Sequence, residues 1–134
     1  MTFVDTNVLL DLVTDDPAWA DWSLRQLEMA SFKGPLIIND VVYAELSVRF
    51  GRIEDLESVL ADAGLTVAPL PRAALFLAGK VFQKYRAAGG SRTGVLPDFF
   101  IGAHAAIERH QILTRDIARY RTYFPSVSLI YPQT

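Results

Sequence analysis

Apolar runs of three or four residues recur along this chain, and longer stretches with helical spacing separate them. That alternation is the pattern of a parallel sheet covered by the helices that connect its strands. Thr2 to Val4, Leu36 to Ile38, Leu65 to Ala68 and Gln111 to Leu113 are predicted strands, and Val127 to Ile130 a predicted edge strand. Asp5-Thr6-Asn7 favours capping ahead of a helix over Val8 to Val13. Asp16-Pro17 starts a second helix to about Phe32, with Asp at the N-cap and Pro at the first helical position. Asn39 caps a helix that ends near Phe50-Gly51, and another spans Ile53 to Ala63 with Gly64 just past its end. Pro71 opens a helix to about Ala88, Pro97 one through Ile107, and Ile117 to Phe124 form a short last one. Gly89 to Gly94 is the most flexible-looking stretch. The expected class is α/β with a mostly parallel central sheet.

No repeat, low-complexity tract or interdomain linker interrupts this pattern, so residues 1–134 are expected to form a single domain. A hydrophobic fraction of 51% excludes a disordered, solvating chain. No stretch approaches the roughly 18 to 20 apolar residues that a membrane span requires. The absence of cysteine excludes disulfides, thiolate metal sites and thiol nucleophiles. No export signal precedes the first strand, and the expected location is cytoplasmic. A formal charge of −2 argues against undirected nucleic-acid binding, unless a bound cation neutralises clustered acids and leaves the 13 Lys and Arg to dominate. Those residues are unevenly spread. Arg86 and Arg92 flank a small-residue loop, and Arg109, Arg115, Arg119 and Arg121 crowd the C-terminal quarter.

Asp5, Glu45, Asp98 and Asp116 stand in or beside apolar sequence, where an unpaired carboxylate is costly. With no matching basic partners, a shared counter-charge is expected, and a divalent cation is the simplest. In open α/β sheets the functional site lies outside the carboxyl ends of the strands. Asp5 ends the first predicted strand, Asp116 follows the fourth by three residues, and Asp98 is the second residue of the helix opened by Pro97. Glu45 is mid-helix, shares a face with Val42, Leu46 and Arg49, and reaches the others only if its helix leans over the strand ends. Each acid also has a purely local role open to it: a cap for Asp5 and Asp116, a dipole partner for Asp98, a solvated helix residue for Glu45. Those roles would all have to hold independently. Asp15, Asp16, Asp21, Glu54, Asp55 and Glu57 lie in polar surroundings and read as caps or solvated faces.

Carboxylates gathered without a cation raise one another's pKa and destabilise the fold. Mg²⁺ or Mn²⁺ accepts oxygen ligands and leaves positions for water and phosphate oxygens. Such an ion lowers the pKa of bound water and stabilises charge on a phosphate. With no cysteine and only two histidines, His104 and His110, a zinc site is disfavoured. His104 is six residues past Asp98, off its face, and reads as an ordinary helix residue, with substrate contact as the alternative.

These residues together carry a resemblance. Asp5-Thr6-Asn7 after a strand, Glu45 in a helix, Pro97-Asp98-Phe99-Phe100-Ile101-Gly102-Ala103-His104-Ala105, and Leu113-Thr114-Arg115-Asp116 ahead of Phe124-Pro125 are similar to the PIN domain. Within it the chain resembles the VapC-type ribonuclease toxins of bacterial toxin–antitoxin pairs, over essentially its whole length. The resemblance implies a three-layer α/β/α fold with four to five strands. It implies that Asp5, Glu45, Asp98 and Asp116 bind metal and catalyse, with Thr6, Asn7 and Thr114 as polar supports of the pocket. It further implies Mg²⁺- or Mn²⁺-dependent cleavage of RNA, a cognate antitoxin and a homodimer. Some members carry a further acid near the last motif. Here Arg119 stands three residues after Asp116, with no acid beyond it.

Three function classes compete. A metal-dependent endoribonuclease would use Asp5, Asp98 and Asp116 as ligands and Glu45 as ligand or water-orienting base, with Arg86, Arg92 and Arg115 as candidate phosphate contacts. A phosphohydrolase of haloacid dehalogenase type would use a strand-end Asp nucleophile, but Asn7 stands where its second Asp belongs. A non-catalytic module would offer Trp19, Trp22, Phe32, Val48 and Phe50 as a groove for a partner helix, unless these are core.

Overall fold

The computed structural model describes residues 1–92 and 94–133. Of the loop expected to be most flexible, Thr93 lies outside the described residues. Among the described residues five strands form one sheet: β1 (Thr2–Val4), β2 (Leu36–Asn39), β3 (Leu65–Ala68), β4 (Gln111–Leu113) and β5 (Leu129–Ile130). Every pairing is parallel, in the order β3-β2-β1-β4-β5, so the sheet is wholly rather than mostly parallel. Phe3 and Val4 of β1 and Ile38 of β2 are fully buried, as expected of strands covered on both faces. Each such side chain contributes roughly 1.5–3 kcal/mol relative to exposure. β5 lies at the sheet edge, as expected, although it is shorter than the predicted Val127 to Ile130.

Among the described residues seven helices connect the strands: α1 (Thr6–Val13), α2 (Ala20–Lys33), α3 (Asp40–Ser47), α4 (Ile53–Asp62), α5 (Arg72–Ala87), α6 (Leu96–Glu108) and α7 (Ala118–Tyr123). Right-handed crossovers put the helices of β1-β2-β3 on one face of the sheet and those of β3-β4-β5 on the other. The packing agrees: α1 touches α2 and α3, and α3 touches α4, while α6 touches α5 and α7. α3 also touches α6, so it stands where the two helical layers meet. The order of connection reverses between β1 and β4, and this places the topological switch point at their carboxyl ends.

Boundaries moved for identifiable reasons. The second helix starts at Ala20 rather than Pro17, because Asp16 Oδ1 accepts from the amides of Ala18 and Trp19 and closes a separate turn first. α3 ends at Ser47, so Arg49 is off the helix and does not share the face of Glu45. The positive φ of Gly64, 70°, confirms the helix stop expected there. Among the described residues no helix is long and apolar enough to cross a membrane.

Candidate active site

Asp5 follows the last residue of β1 at the switch point, and its amide donates to the Leu113 carbonyl of β4. Its carboxylate is buried and surrounded by donors. Oδ1 accepts from the Thr6 amide at 2.7 Å, so Asp5 caps α1, and Oδ2 accepts from the hydroxyls of Thr114 at 2.8 Å and Tyr120 at 2.9 Å. The capping role and the site role therefore coexist in one side chain. Asn7 bridges the two strand ends: its amide nitrogen donates to Thr114 Oγ1 at 3.2 Å, and its oxygen accepts from the Arg115 amide at 3.2 Å. Thr114, fully buried, also accepts from the Asp116 amide at 3.1 Å.

Glu45 reaches this end of the sheet from α3. Asn39, the last residue of β2, caps that helix by accepting from the amides of Val41 and Val42 at 3.0 and 3.1 Å. Val42 and Leu46 bury the inner face, and Glu45 stays half-buried with Oε1 accepting from the Thr6 hydroxyl at 2.7 Å. The helix therefore does lean over the strand ends. His104, a helix residue with substrate contact as the alternative, is buried in the core. Its Nδ1 lies 3.2 Å from the Asn39 side-chain nitrogen, and its ring meets Phe3 edge-on. Asn39 has only donors on that nitrogen, so Nδ1 accepts and the imidazole is neutral. Burial pushes its pKa down, in agreement with that state.

Asp98 lies in the first turn of α6, behind Pro97, and Asp116 accepts from the Ala118 amide at 3.3 Å at the start of α7. The expectation that these acids lack basic partners is corrected here. Arg119 of α7 donates from Nη1 to Asp98 Oδ2 at 2.9 Å. An arginine 21 positions downstream is invisible to a local reading of the Asp98 segment.

These acids influence one another electrostatically. Burial, with a contribution from the charge of Asp98, raises the Asp5 pKa from 3.8 to about 6 despite its hydrogen bonds. Burial also raises that of Asp98, Arg119 pulls it back, and the charges of Glu45 and Asp116 push it up. Burial and the neighbouring Asp5 carboxylate hold the Tyr120 phenol well above its ordinary value, so it remains a donor. The donor set is all oxygen, which fits a hard divalent cation rather than zinc. Among the described residues no three acidic or imidazole side chains are grouped closely enough to hold a metal ion between them as they stand. The Arg119 guanidinium stands on one of these carboxylates, that of Asp98.

The candidate phosphate contacts separate. Arg115 is not free for RNA: Nε and Nη2 grip Asp11 at 2.7 and 2.8 Å, and its guanidinium lies 4.9 Å from the Trp19 ring centre. Arg86 is exposed over the Phe82 ring, and Arg92 is exposed in the loop ahead of α6. Arg121 packs on Tyr131, so much of the C-terminal basic run is committed within the chain. The aromatic set offered as a groove also divides: Trp22 and Phe50 pack against the core, whereas Phe32 and Val48 are 88% and 83% exposed. A cavity of about 560 Å³ opens at the opposite end of the sheet, between Met1, Arg109, His110 and Ser128, and none of the four acids lines it.

Sequence reasoning missed Asp11, Arg119 and Tyr120. Asp11 lies amid Val8-Leu9-Leu10 and Leu12-Val13 and meets the same criterion of a charge in apolar sequence, yet its buried carboxylate serves Arg115 and Ser23. For Arg119 and Tyr120 the available signal was their spacing, three and four residues after Asp116.

The PIN domain profile matches residues 2–125. The chain belongs to the PIN domain family. Solved structures of similar fold include VapBC2 from Rickettsia felis bound to a promoter DNA fragment, at 19% identity and TM-score 0.76, covering 98% of both chains. VapBC-1 from nontypeable Haemophilus influenzae is similar at 15% identity and TM-score 0.71, covering 97% of this chain and 96% of that one. A toxin–antitoxin complex from Klebsiella pneumoniae is similar at 19% identity and TM-score 0.66, covering 99% and 98%. No curated protein matches in sequence.

Proposed function

We propose that this PIN domain is the nuclease toxin of a VapC-type toxin–antitoxin pair, a Mg²⁺- or Mn²⁺-dependent endoribonuclease. The observation that carries the reading is the convergence of Asp5, Glu45, Asp98 and Asp116, drawn from four separate segments, on the switch point of the sheet. Asp5, Asp98 and Asp116 would hold the ion, with Glu45 as a further ligand or as the base that orients water. The ion, when bound, lowers the pKa of its water and offsets charge on the phosphate. Thr114 and Tyr120 fix the Asp5 carboxylate, Asn7 ties the two strand ends together, and Thr6 aims Glu45. Arg86 and Arg92 are the exposed cations we assign to RNA phosphates.

The partner assignment draws on the fold neighbours, which were solved as VapBC and toxin–antitoxin complexes. We assign this chain a cognate antitoxin, a homodimer and a cytoplasmic, single-domain form. The exposed apolar side chains of Phe32 and Val48 support a protein partner.

The test is cleavage of end-labelled RNA by the purified chain with Mn²⁺, compared with Asp5→Asn and Asp98→Asn. Both variants should keep the native circular dichroism spectrum and lose cleavage by about a hundredfold or more. Full cleavage by both would end the proposal.

A further inference from the structure

We propose that Arg119 is a built-in counter-cation that competes with the divalent ion for Asp98 and so sets the metal affinity of the site. This rests on the metal-dependent reading above and adds to it a residue outside the acidic set.

Among the described residues, Arg119 is the one basic side chain ion-paired to any of the four acids. It holds the acid on which the charges of both Glu45 and Asp116 bear, and Asp98 in turn bears on Asp5. One guanidinium against four carboxylates leaves the cluster strongly attractive to a divalent ion. It also occupies Oδ2, one of the two carboxylate oxygens that Asp98 could offer to such an ion.

The pair is built to open. Its side chains are 29% and 31% exposed, and it is tied by a single contact. Pairs of that kind are worth about 1 kcal/mol or less. The backbone beneath Arg119 is fixed, because Tyr120 is anchored on Asp5 and Phe124 is buried against α6. The side chain can therefore leave Asp98 without moving the helix. Arg115 shows the contrasting design: it grips with two nitrogens a carboxylate that is only 3% exposed, and it cannot swing away cheaply. A purely structural Arg119, tying α6 to α7, would predict the opposite effect of its removal, looser helices and weaker metal binding.

The test is calorimetric titration of Mn²⁺ into the metal-free full chain, without RNA, for the parent, Arg119→Gln and Arg119→Lys. Arg119→Gln should bind Mn²⁺ about fivefold more tightly than the parent, since releasing about 1 kcal/mol of competition corresponds to that factor. Arg119→Lys keeps the charge and should stay within about twofold of the parent. Arg119→Met, which keeps the aliphatic stem, repeats the measurement if the Gln variant fails to fold. Equal or weaker binding by the neutral variants overturns the proposal, as does a Lys variant that binds as tightly as they do. A folded parent that binds no Mn²⁺ overturns the metal-dependent reading as well. Binding by the parent that neutral variants leave unchanged overturns this inference alone.

Discussion

Thr6 donates its hydroxyl to Glu45 at 2.7 Å, joining the first turn of α1 to the middle of α3 across 39 positions of chain. This bond holds Glu45 over the strand ends, and among the described residues it is the hydrogen bond that the Glu45 side chain makes. Thr6→Val, which keeps the shape and removes the donor, should lower RNA cleavage about ten- to hundredfold, as expected of a misplaced catalytic group. Thr6→Ser should keep most activity. Steady-state cleavage rates of both variants decide the point, and an undiminished Thr6→Val would remove Thr6 from the machinery.

The Asp5 pKa, raised from 3.8 to about 6 by burial, makes stability depend on pH. Between those values the folded chain keeps a proton that the unfolded chain has released, so stability falls as pH rises through this window. The deficit, roughly 3 kcal/mol for a shift of about two units, is complete above the folded pKa. Metal-free Asp5→Asn lacks it and should be more stable than the parent near neutral pH, but not below the window. Urea unfolding at several pH values measures this, and a parent slope that survives in Asp5→Asn would contradict it. Mn²⁺ should stabilise the parent near neutrality and lose that effect below about pH 6, where protons compete for the ligand.

Asp11 and Arg115 form a part-buried ion pair apart from the four acids of the proposed nuclease site. Asp11→Ala strands the Arg115 guanidinium and the Ser23 hydroxyl, and should cost about 3 kcal/mol in urea unfolding. Per folded molecule, RNA cleavage should stay close to the parent. The double variant Asp11→Ala/Arg115→Met should cost less than the sum of its singles, because they share one interaction. Strict additivity would show that the pair is not coupled.

Gly102 sets how closely α6 and α7 approach. A Cβ at this position would run into the Phe124 ring, so Gly102→Ala must displace a buried aromatic side chain. The expected loss is about 1–3 kcal/mol in thermal or urea unfolding. Gly102→Ala/Phe124→Leu should recover part of it. A Gly102→Ala variant as stable as the parent would mean that the two helices separate freely.

Strands and the strand-end acids were legible from the chain because their causes are local. Thr2 to Val4 and Gln111 to Leu113 are short apolar runs, and Asp5 and Asp116 follow them within a few residues. The helix ends at Asn39 and Gly64 were legible for the same reason, since a side-chain cap and a positive φ act within a few bonds. The criterion of a charge in apolar sequence singles out the four acids we assign to the site, but it describes Asp11 equally well. A buried carboxylate needs a partner, and sequence does not say whether that partner is an arginine or a metal.

The amino-acid sequence by itself determined the α/β alternation and which acids could meet at one edge of the sheet. Hydrophobic period and capping chemistry act over a few residues. Tertiary structure alone decided that Glu45 is held by Thr6, that Tyr120 points at Asp5, that Arg119 stands on Asp98, and that Arg115 is spent on Asp11. Those pairings join residues between 21 and 115 positions apart. Strand order and helix packing set them, and both depend on the whole chain closing around one core.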